Sequence, residues 1–266
     1  MRTWFGGFAM LVAAAAVAQA EVVTQVVEYQ HGDAVLEGYL AYDNAKAGPR
    51  PGVLVVHEWT GVGAYVKQRV EQLAGLGYVA FAADIYGKGV RPVKPEDCAN
   101  EMGRYKNDRA LLRARAKAAL DRLAADEHVD KAKLAVIGYC FGGLTALEVA
   151  RSGADIRAAV SFHGALDAPR RDEGANIKAK VLVCHGADDR FIPDADIAAF
   201  QKEMRDGKVD WQMISFGGTV HSFTNPDAGA DPSRGVAYHA DSDRRSWAAM
   251  LGLFEDVFGP VAGANK

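Results

Sequence analysis

Leu134-Ala135-Val136-Ile137-Gly138-Tyr139-Cys140-Phe141-Gly142-Gly143 runs from a continuous apolar segment straight into a cysteine flanked by glycines. An unbroken apolar run of this length reads as a strand buried on both faces, the kind found inside parallel sheets. Residues 141–151 follow with helical spacing, so Cys140 sits where a strand turns into a helix. The pattern G-x-C-x-G suits that place, because the turn is sharp and leaves no room for Cβ atoms beside the central residue. The N-terminal N–H groups of the helix face the thiol and favour its thiolate. A buried cysteine at a tight turn would satisfy the same spacing, so the motif needs partners elsewhere in the chain.

The same alternation continues on both sides. Residues 52–56, 78–83, 158–162 and 179–184 are further apolar runs. Residues 64–76, 105–125, 194–205 and 243–258 carry helical spacing, and 209–216 reads as extended. Gly75-Leu76-Gly77 stops the first helix, and Asp194 is placed to cap the helix at 194–205. Buried strands alternating with helices predict the α/β class, with a mostly parallel central sheet and helices on both faces. Residues 22–42 alternate around His31-Gly32-Asp33, which predicts an antiparallel hairpin at one edge of the sheet. The stretch 87–106, with Pro92 and Pro95, is the least regular and is expected to form a surface flap near the strand ends. No repeat or linker interrupts residues 21–266, which read as one domain.

The 266 residues carry 31 Lys and Arg against 34 Asp and Glu, a net charge of −3. That balance, without a basic stripe, argues against a nucleic-acid partner. Residues 1–20 have the layout of a secretory signal peptide: Arg2, an apolar run over 8–18, and the small-x-small site Ala18-Gln19-Ala20. The run is well short of the roughly 20 residues needed to span a bilayer. The expectation is cleavage after Ala20, a secreted or periplasmic location, and no membrane attachment of the mature chain. Cys98, Cys140 and Cys184 are too few for a disulfide framework, and at most one pair can form.

In such sheets, sites gather at the carboxyl ends of the strands. The run at 179–184 leads into His185-Gly186-Ala187-Asp188-Asp189, and the extended stretch 209–216 leads into Gly217-Gly218-Thr219-Val220-His221. Cysteine, carboxylate and histidine thus fall at three strand ends in the order used by α/β-hydrolases. The residues alone leave Asp188 and Asp189 both open. At the end of 52–56, His57-Glu58-Trp59-Thr60-Gly61 imitates half of a zinc H-E-x-x-H motif, but Gly61 stands where the second histidine belongs, so no metal is expected. No nucleotide-binding glycine motif is present, and no cofactor is expected.

The chain resembles the dienelactone hydrolase family of α/β-hydrolases over nearly all of residues 21–266. The resemblance is carried by Gly138-Tyr139-Cys140-Phe141-Gly142-Gly143, by Gly186-x-x-Asp189-x-x-x-Pro193 and by His221-Ser222-Phe223. It implies the α/β-hydrolase fold and a small-molecule ester or lactone substrate. It implies Cys140 as nucleophile, His221 as base and Asp189, rather than Asp188, as the residue orienting it. It also implies that Glu58 controls the protonation of the thiol, and that the N–H groups of Trp59 and Phe141 form an oxyanion hole. Prototype members place an arginine just after the histidine loop, where this chain has Asn225; Arg104 or Arg109 are the nearby candidates to replace it. Phe191, Phe223, Asn225 and His163 are candidate pocket residues. Two other readings keep the fold: an exported binding protein without turnover, and thiol redox chemistry at Cys140.

Overall fold

The computed structural model describes residues 21–260; the signal-peptide expectation falls on residues 1–20, outside the described ones. Eight strands form one sheet in the order β1-β2-β4-β3-β5-β6-β7-β8. Strands β1 (Val22–His31) and β2 (Ala34–Asp43) form the expected hairpin, and β2 joins β4 (Val79–Ala83) antiparallel. From there β3 (Arg50–Val56), β5 (Val129–Tyr139), β6 (Ala158–Phe162), β7 (Lys180–Gly186) and β8 (Trp211–Phe216) run parallel.

Every residue of β3, β4 and β6 is buried, as their unbroken apolar runs predict. Alternate residues feed two cores. Leu54 and Val56 point to the side covered by α3 (Arg109–Ala124), α4 (Phe141–Arg151) and α5 (Asp194–Asp206). Val53 and Val55 point to the side covered by α1 (Ala64–Gly75) and α6 (Ala240–Phe258). The register pairs Val56 with Gly138, Tyr139 with Phe162, Phe162 with Cys184, and Gly186 with Phe216. The carboxyl ends of the five parallel strands from β3 to β8 are therefore level, and the loops leaving them meet in one place.

Three expectations need correction. The segment 87–106 is not an irregular flap throughout, because residues 95–107 form helix α2 (Pro95–Asn107). Pro95 occupies the first turn, where its missing N–H costs nothing. The helical stretch at 105–125 is two helices, broken at Asp108, whose side chain accepts from the Leu111 N–H at 2.9 Å and caps α3. Asp194 is the first residue of α5 rather than its cap; Pro193 holds the cap position, and no side chain caps that end.

Between α4 and α5 lies a charged cluster inside the first core. Arg151 is fully buried, with Nε 2.7 Å from Glu203 Oε1 and Nη1 3.0 Å from Glu148 Oε1. Arg113 extends the cluster to Glu148 and Glu173. Such a cluster persists because every charge has a partner.

Candidate active site

Between the last residue of β5 and the first of α4, Cys140 makes the turn alone, with φ 54° and ψ −114°. A side chain other than glycine rarely takes that backbone, and it survives only where the surroundings fix it. Here they do. The Cys140 N–H is shared between Phe162 O at 3.0 Å and His163 Nδ1 at 3.1 Å. Its carbonyl accepts from the N–H groups of Gly143 and Leu144 at 3.0 and 3.3 Å. A Cβ on Gly138 would stand 2.0 Å from Gly142 O, and one on Gly142 would stand 2.1 Å from Val56 O. Strand β3, the cysteine turn and the first turn of α4 therefore touch backbone to backbone.

The loop after β7 carries Asp189, and the loop after β8 carries His221. Asp189 is buried; its Oδ1 accepts from the Phe191 N–H at 2.9 Å, and its Oδ2 lies 2.7 Å from His221 Nδ1. Asp188 faces solvent. The His221 ring and the Cys140 sulfur both face the same cavity. Burial opposes a charge on this imidazole, but the Cys140 sulfur and Asp189 outweigh it and raise its pKa to about 10. The backbone of His221 is held as firmly: its N–H reaches Gly235 O at 3.3 Å and its carbonyl accepts from the Ala237 N–H at 3.1 Å, a parallel bridge to Val236.

Glu58, just past β3, accepts a hydrogen bond from Asn225 Nδ2 on Oε2 at 2.7 Å. Burial pushes its pKa up, and the Asn225 bond and His221 offset part of that rise. Next to it, the Trp59 carbonyl accepts from the Tyr86 hydroxyl at 3.0 Å. Phe141 opens α4, so its N–H has no partner within the helix. Glu58, Trp59, Cys140, Phe141, His221 and Asn225 border a cavity of about 750 Å³, whose apolar wall includes Leu144, Phe191, Ile192 and Val236.

Residues 36–258 match the sequence pattern of the dienelactone hydrolase family. The chain belongs to that family. Among solved structures it is similar to one named m3DLH, at 42% identity and a TM-score of 0.86, covering 89% of this chain and 99% of that one. A dienelactone hydrolase-like promiscuous phosphotriesterase from metagenomic libraries is also 42% identical, with a TM-score of 0.85, covering 90% and 99%. A Yersinia pestis protein named "Putative carboxymethylenebutenolidase" is 30% identical over 82% of this chain and 83% of its own length. The mostly parallel sheet described above is the α/β-hydrolase fold of these dienelactone hydrolases.

Within this dienelactone hydrolase family member, the structure brings Cys140, His221, Asp189, Glu58, Trp59, Phe141, Phe191 and Asn225 together. Two candidates do not line the cavity. Phe223 is fully buried and packs edge-on against His163, with ring centroids 5.2 Å apart. His163 lies beneath the cysteine turn, accepting from the Cys140 N–H and donating from Nε2 to Thr224 Oγ1 at 2.7 Å. Burial, with His221 and Arg69 nearby, holds its pKa well below the usual histidine value. Neither Arg104 nor Arg109 reaches the cavity: Arg104 pairs with Glu101, and Arg109 with Asp167 and Glu148. The cations that border it are Lys106 and Arg234. Lys106 comes from the last turn of α2, which ends at Asn107. Arg234 ends a single 3-10 turn (Pro232–Arg234), too short for periodicity to show which way a side chain points.

Proposed function

We propose that this chain is an exported hydrolase of activated ester or lactone bonds with Cys140 as nucleophile. The observation that carries the reading is the strained cysteine turn facing a histidine that is itself bonded to a buried aspartate, at the wall of a largely apolar cavity. The Cys140 thiolate attacks the substrate carbonyl. The resulting oxyanion is held by the N–H groups of Trp59 and Phe141, each worth roughly 10²–10³ in rate. The protonated His221 delivers its proton to the leaving oxygen as the tetrahedral species collapses to a thioester. Neutral His221 then takes a proton from water, which attacks the thioester and restores the thiol. Asp189 fixes the ring with its proton on Nδ1 toward the carboxylate. Glu58, biased by burial toward its neutral form, keeps a second negative charge away from the sulfur.

A thiolate leaves as readily as it attacks, so activated esters, enol lactones and thioesters suit it better than amides. The family relationship and the relative named as a carboxymethylenebutenolidase support this substrate class. Export rests on the pattern of residues 1–20, and the protein should be recovered from the periplasm or medium with Glu21 first; recovery from the cytoplasm alone with Met1 first would remove export from the proposal.

The test is hydrolysis of a short-chain aryl ester by the reduced protein beside Cys140→Ala and His221→Ala. Turnover lost in both variants is expected. Wild-type protein without turnover on a panel of aryl esters, enol lactones and one neutral phosphotriester would sink the hydrolase reading. A thiol redox role would instead survive loss of His221.

A further inference from the structure

We propose that His57 is a positioning residue that aims the Trp59 N–H into the cavity; this rests on the hydrolase reading above. His57 is fully buried at the end of β3. Its Nε2 accepts from the Ile85 N–H at 3.3 Å, which places the ring proton on Nδ1. That Nδ1–H donates to the Glu58 carbonyl at 2.5 Å. The Gly61 N–H approaches the same carbonyl at 3.4 Å. The peptide between Glu58 and Trp59 is planar and trans, so its N–H points opposite to its C=O. A carbonyl tied inward to the buried imidazole therefore turns the Trp59 N–H the other way, toward the side on which Glu58 and Trp59 border the cavity. The ring also packs 5.9 Å from the Phe141 ring and 4.7 Å from Tyr86, whose hydroxyl holds the Trp59 carbonyl. One imidazole thus braces the residues that supply both oxyanion donors. Burial lowers its pKa to about 4, so the ring stays neutral and keeps this tautomer at neutral pH.

The experiment compares two reactions of Cys140 in the whole protein. Ester hydrolysis forms an oxyanion; alkylation by iodoacetamide displaces iodide and forms none. Cys98 and Cys184 are buried, so alkylation of the native protein reads Cys140. His57→Phe should lower kcat for a short-chain aryl ester about 10- to 100-fold. Its KM and its alkylation rate should stay within about threefold of wild type. His57→Asn, whose amide can still donate to the Glu58 carbonyl, should recover most of kcat. A His57→Phe protein that alkylates normally and keeps kcat within about threefold overturns the proposal. Should His57→Phe lose both reactions through misfolding, ¹⁵N NMR of the wild-type imidazole decides: the Nδ1–H tautomer supports the proposal and the Nε2–H tautomer overturns it. Wild-type protein inert toward every ester strikes the hydrolase reading instead, and the tautomer measurement still judges the role of His57.

Discussion

Gly142→Ala is the substitution whose effect follows most directly from the backbone contacts. The added Cβ would lie 2.1 Å from Val56 O, 2.6 Å from Val56 C and 2.8 Å from His57 O. The first of these is more than about 1 Å inside the ~3.3 Å at which carbon and carbonyl oxygen meet. All three atoms are buried backbone at the end of β3 and the residue after it, so no flexible side chain can swing away. Either α4 lifts from β3 by about that distance or the end of β3 bends. Overpacking of a tight core costs about 1–3 kcal/mol. The same shift moves Phe141 relative to Trp59, and a misplacement of ~1 Å can cost about 100-fold in rate. Urea denaturation and aryl-ester kinetics on one preparation measure both effects. Gly75→Ala, at the last residue of α1, is the control: nothing lies within 4 Å of its Cβ, so stability and kcat should both stay close to wild type. A Gly142→Ala protein with wild-type stability and kcat within about threefold would refute the reasoning about the turn.

Three other outcomes are expected. Because the pKa of folded His221 is raised from 6.5 to about 10, its contribution to stability is full below pH 6.5 and is lost as pH rises through 10. Unfolding midpoints should fall across that window, and Cys140→Ala should flatten the fall; identical slopes would contradict the assignment. Arg151→Met leaves Glu203 and Glu148 buried without their shared cation and should cost about 3–5 kcal/mol in urea denaturation, so a loss under about 1 kcal/mol would show the cluster to be solvated. Asn225→Leu removes the hydrogen bond that partly offsets the burial of Glu58, so the Glu58 pKa should climb further. Because Glu58 would then stay neutral beside the sulfur further up the pH scale, the rate profile should hold its plateau to higher pH, and an unmoved profile would detach Glu58 from the thiol's protonation.

The apolar runs of β3 to β7 and the cysteine turn are legible in the sequence because burial on both faces and a glycine-only turn each leave a local signature. The order of Cys140, Asp189 and His221 is legible for the same reason, since each follows a strand. What stays hidden is the pairing of residues far apart in the chain. Glu58 and Asn225 are 167 positions apart, and nothing local in either segment announces the hydrogen bond between them. Phe223 sits two positions after His221, yet it packs into the core against His163 and Phe216. Helix α2 did leave a signal, with Glu96 and Asp97 in its first turn and Arg104 and Lys106 in its last, but the prolines on its approach obscured it.

The wall that carries Asp227, Ala228, Arg234 and Val236 is tied directly to the backbone of His221, through Gly235, Val236 and Ala237. For anyone reshaping this enzyme's selectivity, that tie separates two kinds of change. Exchanging side chains at 227, 228 or 234 alters the surface offered to a substrate and leaves the anchor alone. Lengthening or shortening the chain between 222 and 235 pulls on the anchor and shifts His221 with it. Libraries that vary residue type at fixed loop length should therefore retain many active members, while libraries that vary loop length should retain few.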